Sequence, residues 1–139
     1  MNTGTRNTMS AIDRENHVRI KLWRSSVQSF LHGSKAILKR HAVSTRGYHS
    51  MLEIWAAPND LGLAVGDLAK LIHVRHNTAV GVIDELCRLD LTVRKRLADD
   101  RRVVLVQLTS TGREVLAQLV REHLQELNKI SVNLRKVLG

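Results

Sequence analysis

The chain is poor in three residue types that build particular kinds of protein. It has one cysteine, one proline, and only two tryptophans, one tyrosine and one phenylalanine in 139 residues. A single thiol, Cys87, makes no intramolecular disulfide framework and no thiolate zinc site by itself, and it suits a reducing, cytoplasmic setting. Scarce proline and scarce aromatics fit helices better than a β-rich sandwich. The first ten residues are polar and lack an apolar h-region, so no secretory signal is expected. No uncharged apolar run approaches membrane-spanning length, so no membrane partner is expected either.

Motifs of catalysis are missing as well. There is no P-loop, no dinucleotide glycine fingerprint, no metalloprotease helix and no nucleophile elbow, so neither enzyme activity nor a cofactor is expected. The seven histidines stand at 17, 32, 41, 49, 73, 76 and 123. Only His73 and His76 have helical spacing, and they straddle a predicted turn. With no acidic or cysteine cluster beside them, they indicate no metal site.

What the chain has in excess is positive charge: 22 Lys and Arg against 13 Asp and Glu, a net +9. That surplus favours a polyanionic partner. Hydrophobic residues at 43% and charged residues at 25% fit one soluble globular domain, with enough chain to bury a core.

The apolar residues set out the elements. Residues 1–12 read as a loose tail. From Asp13 to His41, Val18, Leu22, Trp23, Val27, Phe30, Leu31, Ile37 and Leu38 recur every three or four positions, one stripe on a long helix that Gly33-Ser34 interrupts. Ser44 reads as the N-cap of a second helix, Thr45 to Ala56, ended by Pro58. Two short helices follow, Val65 to Ile72 and Arg75 to Arg88, separated by His73-Val74: a helix-turn-helix pattern. Two β-like runs, 91–96 and 103–108, flank a polar hairpin tip. Thr111 and Glu114 have capping-box spacing. After them a stripe from Leu116 to Val137 predicts a last helix, with a break near Asn128. The class is mainly α (α+β). The two long terminal stripes exceed what so small an interior can cover, and a two-fold dimer would bury the excess.

Function is concentrated in two places. The second helix of the pair opens Arg75-His76-Asn77-Thr78. In a helix-turn-helix this end enters the major groove, where arginine pairs with guanine and asparagine with adenine. Thr78 taken alone reads more readily as a helix-capping residue than as a phosphate contact. The hairpin carries Arg94, Lys95, Arg96, Arg101 and Arg102. A hairpin tip bearing arginine reaches an adjacent minor groove, and Asp100 is placed to fix a neighbouring arginine by a charge-assisted bond. A module that binds RNA or a protein is the rival reading, because charge alone does not separate the two.

The segments 63–74, Asn77-Thr-Ala-Val and Ile83-Asp-Glu-Leu resemble the helix-turn-helix of the MarR family of regulators. Asp100-Arg101-Arg102-Val103, then Leu108-Thr109 and Gly112, are similar to that family's D-x-R wing and the entry to its fifth helix. Ser44 to Trp55 resembles its second helix. The match spans about residues 40–115. It implies a winged helix-turn-helix with long N- and C-terminal dimerisation helices. The implied plan is a single domain over 1–139, with dimerisation helices at 13–43 and 111–139, a DNA-binding lobe at 44–110 and a wing at 91–108.

The resemblance further implies a transcriptional regulator, a repressor acting as a homodimer on a palindromic duplex, in the cytoplasm with the nucleoid. It adds Val80 and Gly81 to the recognition-helix contacts and sends Arg102, braced by Asp100, into the minor groove. Three positions depart from the family. Gly81 stands where a larger polar or basic side chain is common. Asp90 replaces the usual glycine before the wing, a turn that aspartate tolerates. Arg96 replaces a proline. Relatives release DNA on binding small aromatic acids, for which Trp23, His49, Met51 and Trp55 with Arg46 are the candidate pocket; both tryptophans and Met51 read more readily as core. Cys87 reads as a small packed side chain rather than a redox sensor.

Overall fold

The computed structural model describes residues 3–58 and 60–139, with side chains from Ser10 onward except Ile12 and Asn59. The order is α1 (Thr3–Arg40), α2 (Thr45–Ala56), β1 (Leu63–Ala64), α3 (Val65–Leu71), α4 (His76–Arg88), β2 (Thr92–Arg96), β3 (Val104–Leu108) and α5 (Ser110–Leu138). The chain divides into two compact units. One holds residues 1–36 and 122–139, the other residues 37–121. The boundaries fall inside α1 and α5, not at their ends.

In the second unit, Ile37, Leu38, Met51, Ile54, Leu68, Ile83, Leu86, Val106, Leu116 and Leu119 form one buried cluster. Helices α2, α4 and α5 each supply residues three apart, as an amphipathic stripe must, while α1 adds the adjacent pair Ile37 and Leu38 and α3 adds Leu68. A three-stranded antiparallel sheet, in the order β1-β3-β2, backs the cluster. Its long ladder runs from Thr92 opposite Leu108 to Arg96 opposite Val104. The short strand β1 pairs Leu63 with Val106 and Ala64 with Leu105. Two residues show no alternation, so β1 has no signature in the sequence.

Three helices of this unit end alike. Ala42, His73 and Asp90 take φ of 55°, 58° and 60°. After each, an N–H reaches back along the helix: Val43 to Leu38, Val74 to Ala69, Leu91 to Leu86. This is the Schellman ending, here without glycine at the left-handed position. The turn expected of Asp90 is therefore present.

Helix starts are capped by hydroxyls. Ser44 Oγ accepts from the Gly47 N–H at 2.9 Å, as expected. At α5 the cap is Thr109, not Thr111: Thr109 Oγ1 accepts from the Gly112 N–H at 2.9 Å and donates to the Asp90 carbonyl at 2.6 Å. Thr109 wins because it follows the strand directly and can reach the α4–β2 turn while it caps.

The first unit holds the remainder of α1 and α5. Ser26, His123 and Ile130 are its buried residues among those described. Ser34 Oγ lies 2.8 Å from His123 Nε2, and the Phe30 ring lies against the same imidazole. Arg19 donates from Nε and Nη2 to the Val137 carbonyl at 3.1 and 2.8 Å. Helix α1 begins at Thr3, so most of the expected tail is helical; residues 1 and 2 lie outside the description. Extending an existing helix adds a hydrogen bond per residue, so polar residues join it readily. The expected interruptions at Gly33 and Asn128 are absent. A Cβ at Gly33 would lie 2.5 Å from Glu126 Oε2, the movable end of a flexible side chain.

Two helical glycines should respond oppositely to alanine. Glycine-to-alanine normally stabilises a helix by about 1 kcal/mol. A Cβ at Gly81 meets nothing within 4 Å, so Gly81→Ala should show that gain. A Cβ at Gly112 would sit 2.0 Å from the Leu91 carbonyl oxygen, so Gly112→Ala should lose about 1–3 kcal/mol. Urea unfolding at one fixed protein concentration compares them; a stabilised Gly112→Ala would contradict this packing.

Candidate nucleic-acid interface

Helix α4 follows α3 after the turn at His73, which makes the pair a helix-turn-helix. Ala79, Ile83 and Leu86 face the core and hold the helix in place. The opposite face is outward: Arg75, His76, Asn77 and Gly81 are exposed, with Thr78 and Val80 partly buried. Arg75 is the N-cap residue, and its side chain makes no cap bond. The polar cluster therefore does not originate in capping by Arg75.

The wing is the β2–β3 hairpin. Arg94, Lys95 and Arg96 are exposed along β2, and Arg101 and Arg102 are exposed at the tip. The tip is closed by its own bonds: Val103 N–H to the Asp100 carbonyl and Leu97 N–H to the Val103 carbonyl, both 3.1 Å. Arg96 Nη1 donates to the Arg101 carbonyl at 2.6 Å. Where a proline would stiffen a wing through its ring, this one is clasped by a side chain.

Asp100 holds Arg102 at three points. Its Oδ1 accepts from the Arg102 N–H and from Nε at 3.1 Å each, and its Oδ2 from Nη2 at 3.5 Å. The Arg102 side chain remains 92% exposed. The carboxylate thus limits the directions of a cation that nothing covers. Between the α4 N-terminus and the wing lies a shallow cleft of about 450 Å³, bordered by Gly66, His76, Val80, Arg94 and Arg102.

Arg94 is placed differently from the other wing cations. It turns back to α4, where Nη2 lies 2.7 Å from Asp84 Oδ1 and Nη1 lies 3.6 Å from Cys87 Sγ. Cys87 Sγ also meets Thr92 Oγ1 at 3.3 Å, and it is partly buried, as a packed side chain should be. Sequence reasoning missed Asp84. Its only signal was a carboxylate on the outward face of a helix in a strongly basic chain.

Of the five residues read as an effector pocket, Arg46, His49, Met51 and Trp55 lie in the second unit and Trp23 in the first. Met51 is fully buried in the core of the second unit, while Arg46 and His49 are exposed. Trp55 is 63% exposed rather than core. The core side of α2 centres on Gly47, Met51 and Ile54, leaving Trp55 at its border in the last turn. There it lines a cavity of about 320 Å³ with Ile54, Gln107 and Arg113. Trp23, in the first unit, is likewise exposed and borders a separate hollow with Arg19, Ile20 and Val137. Among the described residues no cluster of His, Cys, Asp or Glu could hold a metal ion.

These features define a winged helix-turn-helix. Solved structures with the same fold include a mutant of S. aureus MepR, with a TM-score of 0.69 and 22% identity over 85% of this chain and 94% of that one. The S. aureus MepR–DNA complex gives 0.67 and 22%, covering 85% and 96%. AbsC, a MarR family transcriptional regulator from Streptomyces coelicolor, gives 0.67 and 18%, covering 81% and 77%. The chain thus has the fold of MarR-family regulators. No family model and no curated protein sequence matches it.

Asp100→Ala tests the brace without any ligand. The pair is exposed, so the unfolding free energy should move by no more than about 0.5 kcal/mol. Amide exchange at Arg102, whose N–H Asp100 accepts, should quicken. Unchanged exchange there would show that the brace is not formed in solution.

Proposed function

We propose that this protein is a sequence-specific duplex-DNA-binding transcriptional regulator, a repressor that acts as a homodimer on a palindromic operator. The observation that carries the reading is the pairing, in one lobe, of an outward α4 N-terminus with an arginine braced at the wing tip. Arg75, His76 and Asn77 would read base edges in the major groove, while Arg102 would enter the neighbouring minor groove. Thr78 and the exposed Lys95, Arg96 and Arg101 would meet phosphates. Gly81 would contribute no side-chain contact, leaving base choice to the first turn of α4. The MepR–DNA complex is a protein of this fold on DNA, and the +9 charge suits the same partner.

The homodimer is supported by what the first unit leaves uncovered. Val18, Ile20, Trp23, Leu31, Leu124, Leu127 and Val132 are between 41% and 66% exposed on α1 and α5. That much apolar surface on two helices is characteristic of an interface, and a second copy is the simplest partner. A regulator of chromosomal DNA would work in the cytoplasm beside the nucleoid. No described helix is long and apolar enough to cross a membrane. An aromatic effector would be taken up at Trp55, whose cavity offers an indole face and the Arg113 guanidinium. Quenching of tryptophan fluorescence by aromatic carboxylates, lost in Trp55→Phe, is the expected result.

The deciding experiment selects bound sequences from genomic fragments, then compares affinity for the duplex and for single strands. A palindrome bound by a dimer, with strong duplex preference, is expected; equal binding to single-stranded RNA would favour the rival reading. In mobility-shift titrations Arg102→Ala should weaken operator binding roughly tenfold or more while sedimentation still reports a dimer. Asn77→Ala should relax base choice at one position of each half-site. Identical selected sequences for mutant and parent would remove Asn77 from base reading.

A further inference from the structure

We propose that Arg94 is a positioning residue, not a phosphate contact: with Asp84 it fastens the wing to the recognition helix and so sets the spacing between the two DNA-reading elements. The inference rests on the DNA-binding reading above and assigns one of its residues a different role.

Arg94 lies in the middle of β2, opposite Val106 of β3. Its guanidinium reaches Asp84 at 2.7 Å and the Cys87 sulfur at 3.6 Å, while Thr92 meets the same sulfur at 3.3 Å. Asp84 and Cys87 are three residues apart, hence on one side of α4 and one turn of it. Two side chains of β2 therefore grip a single turn of the helix. The wing hairpin is also joined to α4 at its base, through the turn at Leu89–Leu91 and through Val106 and Leu108, which share a buried core with Ile83 and Leu86. The Arg94–Asp84 pair adds a polar fastening at the surface, in the middle of β2, where it limits the direction of the hairpin beyond that base.

Electrostatics points the same way. Asn77, Gly81, Asp84 and Arg88 follow one another at spacings of four, three and four, which is one outward stripe of α4. Asp84 is seven residues from Asn77, about 10 Å along the axis. A free carboxylate there would repel the phosphates bordering a groove that Asn77 enters. Arg94 offsets it, and Arg88 similarly pairs with Glu85 on the next position. The Arg94 charge is thus directed at Asp84, with its side chain 34% exposed against 92% for Arg102.

A double-mutant cycle with Arg94→Gln and Asp84→Asn on the selected operator tests the role, because charge counting and positioning predict opposite signs. If Arg94 were a phosphate contact, Asp84→Asn would free it, tighten binding and steepen the salt dependence; Arg94→Gln would flatten that dependence by about one ion. If Arg94 positions the wing, Asp84→Asn weakens binding although net charge rises. Each single variant then loses roughly tenfold, and the double variant loses no more than either. Salt dependence stays near the parent's, and minor-groove protection at the wing fades before major-groove protection. Arg94→Lys, which keeps the charge and one donor, restores part of the affinity. Unfolding midpoints accompany each variant, so a folding defect is recognised; Asp84→Asn, at an exposed site, carries the test if Arg94→Gln is unstable. Tighter binding by Asp84→Asn, or additive losses, overturns the inference while leaving DNA binding intact. A parent protein that binds no duplex overturns both.

Discussion

At Asp90 the backbone takes φ of 60°, and within two residues the chain passes from the recognition helix into the first wing strand. Much of the second unit is organised around this turn. The Asp90 carbonyl accepts from Thr109 Oγ1, and the Leu91 carbonyl accepts from the Thr109 N–H at 3.1 Å. The same Thr109 oxygen caps α5, and the Leu91 carbonyl lies so close to Gly112 that no side chain fits there. The end of α4, both ends of the wing and the start of α5 are thereby tied at one point. An L-residue in left-handed geometry costs about 1–2 kcal/mol, and a network that fixes three elements at once is able to hold it.

From that fixed root the wing extends as a hairpin whose cations are deployed in three distinct ways. Arg94 goes back to α4, Arg96 clasps the tip through the Arg101 carbonyl, and Arg102 lies along Asp100. A run of basic residues usually reads as a solvated face. Here each of these three arginines has an acceptor that sets its direction. Exposed ion pairs contribute little to stability, so their value lies in orientation. A cation held in one direction loses less freedom on meeting its partner than one that is free to rotate.

The parts legible in the sequence were those with a local cause. Ser44 and the stripe behind it marked α2 to the residue, and the β-branched run after Val103 marked β3. That Asp100 would hold a neighbouring arginine was legible from local spacing, and the family resemblance singled out Arg102, which the structure pairs with it. What escaped notice depended on distant partners. β1 exists because Leu63 and Ala64 meet β3, and Thr109 displaces Thr111 as the cap because it can also reach Asp90. Asp84 was passed over because the arginine that gives it meaning is ten residues away across a turn. The tryptophans were misjudged for a related reason. Large aromatic residues are usually buried, yet Trp23 and Trp55 remain about half-exposed or more in one copy of the chain.

That last error is informative about the molecule. The two units differ in how they satisfy their apolar residues. The second closes on itself around a core in which Met51, Leu68, Ile83, Val106 and Leu119 have no measurable exposure. The first has Ile130 as its buried aliphatic residue among those described and leaves side chains from Val18 to Val132 open on α1 and α5. Two helices alone have too little interior to bury stripes on this scale. A sequence that maintains such stripes along much of α1 and α5 loses solubility unless another surface covers them. The second copy would supply that surface, and it would also bring a second α4 and a second wing, related by the two-fold axis, to the adjoining half of a palindrome. On the proposed reading, the dimer and the operator's symmetry are consequences of the same uncovered stripe.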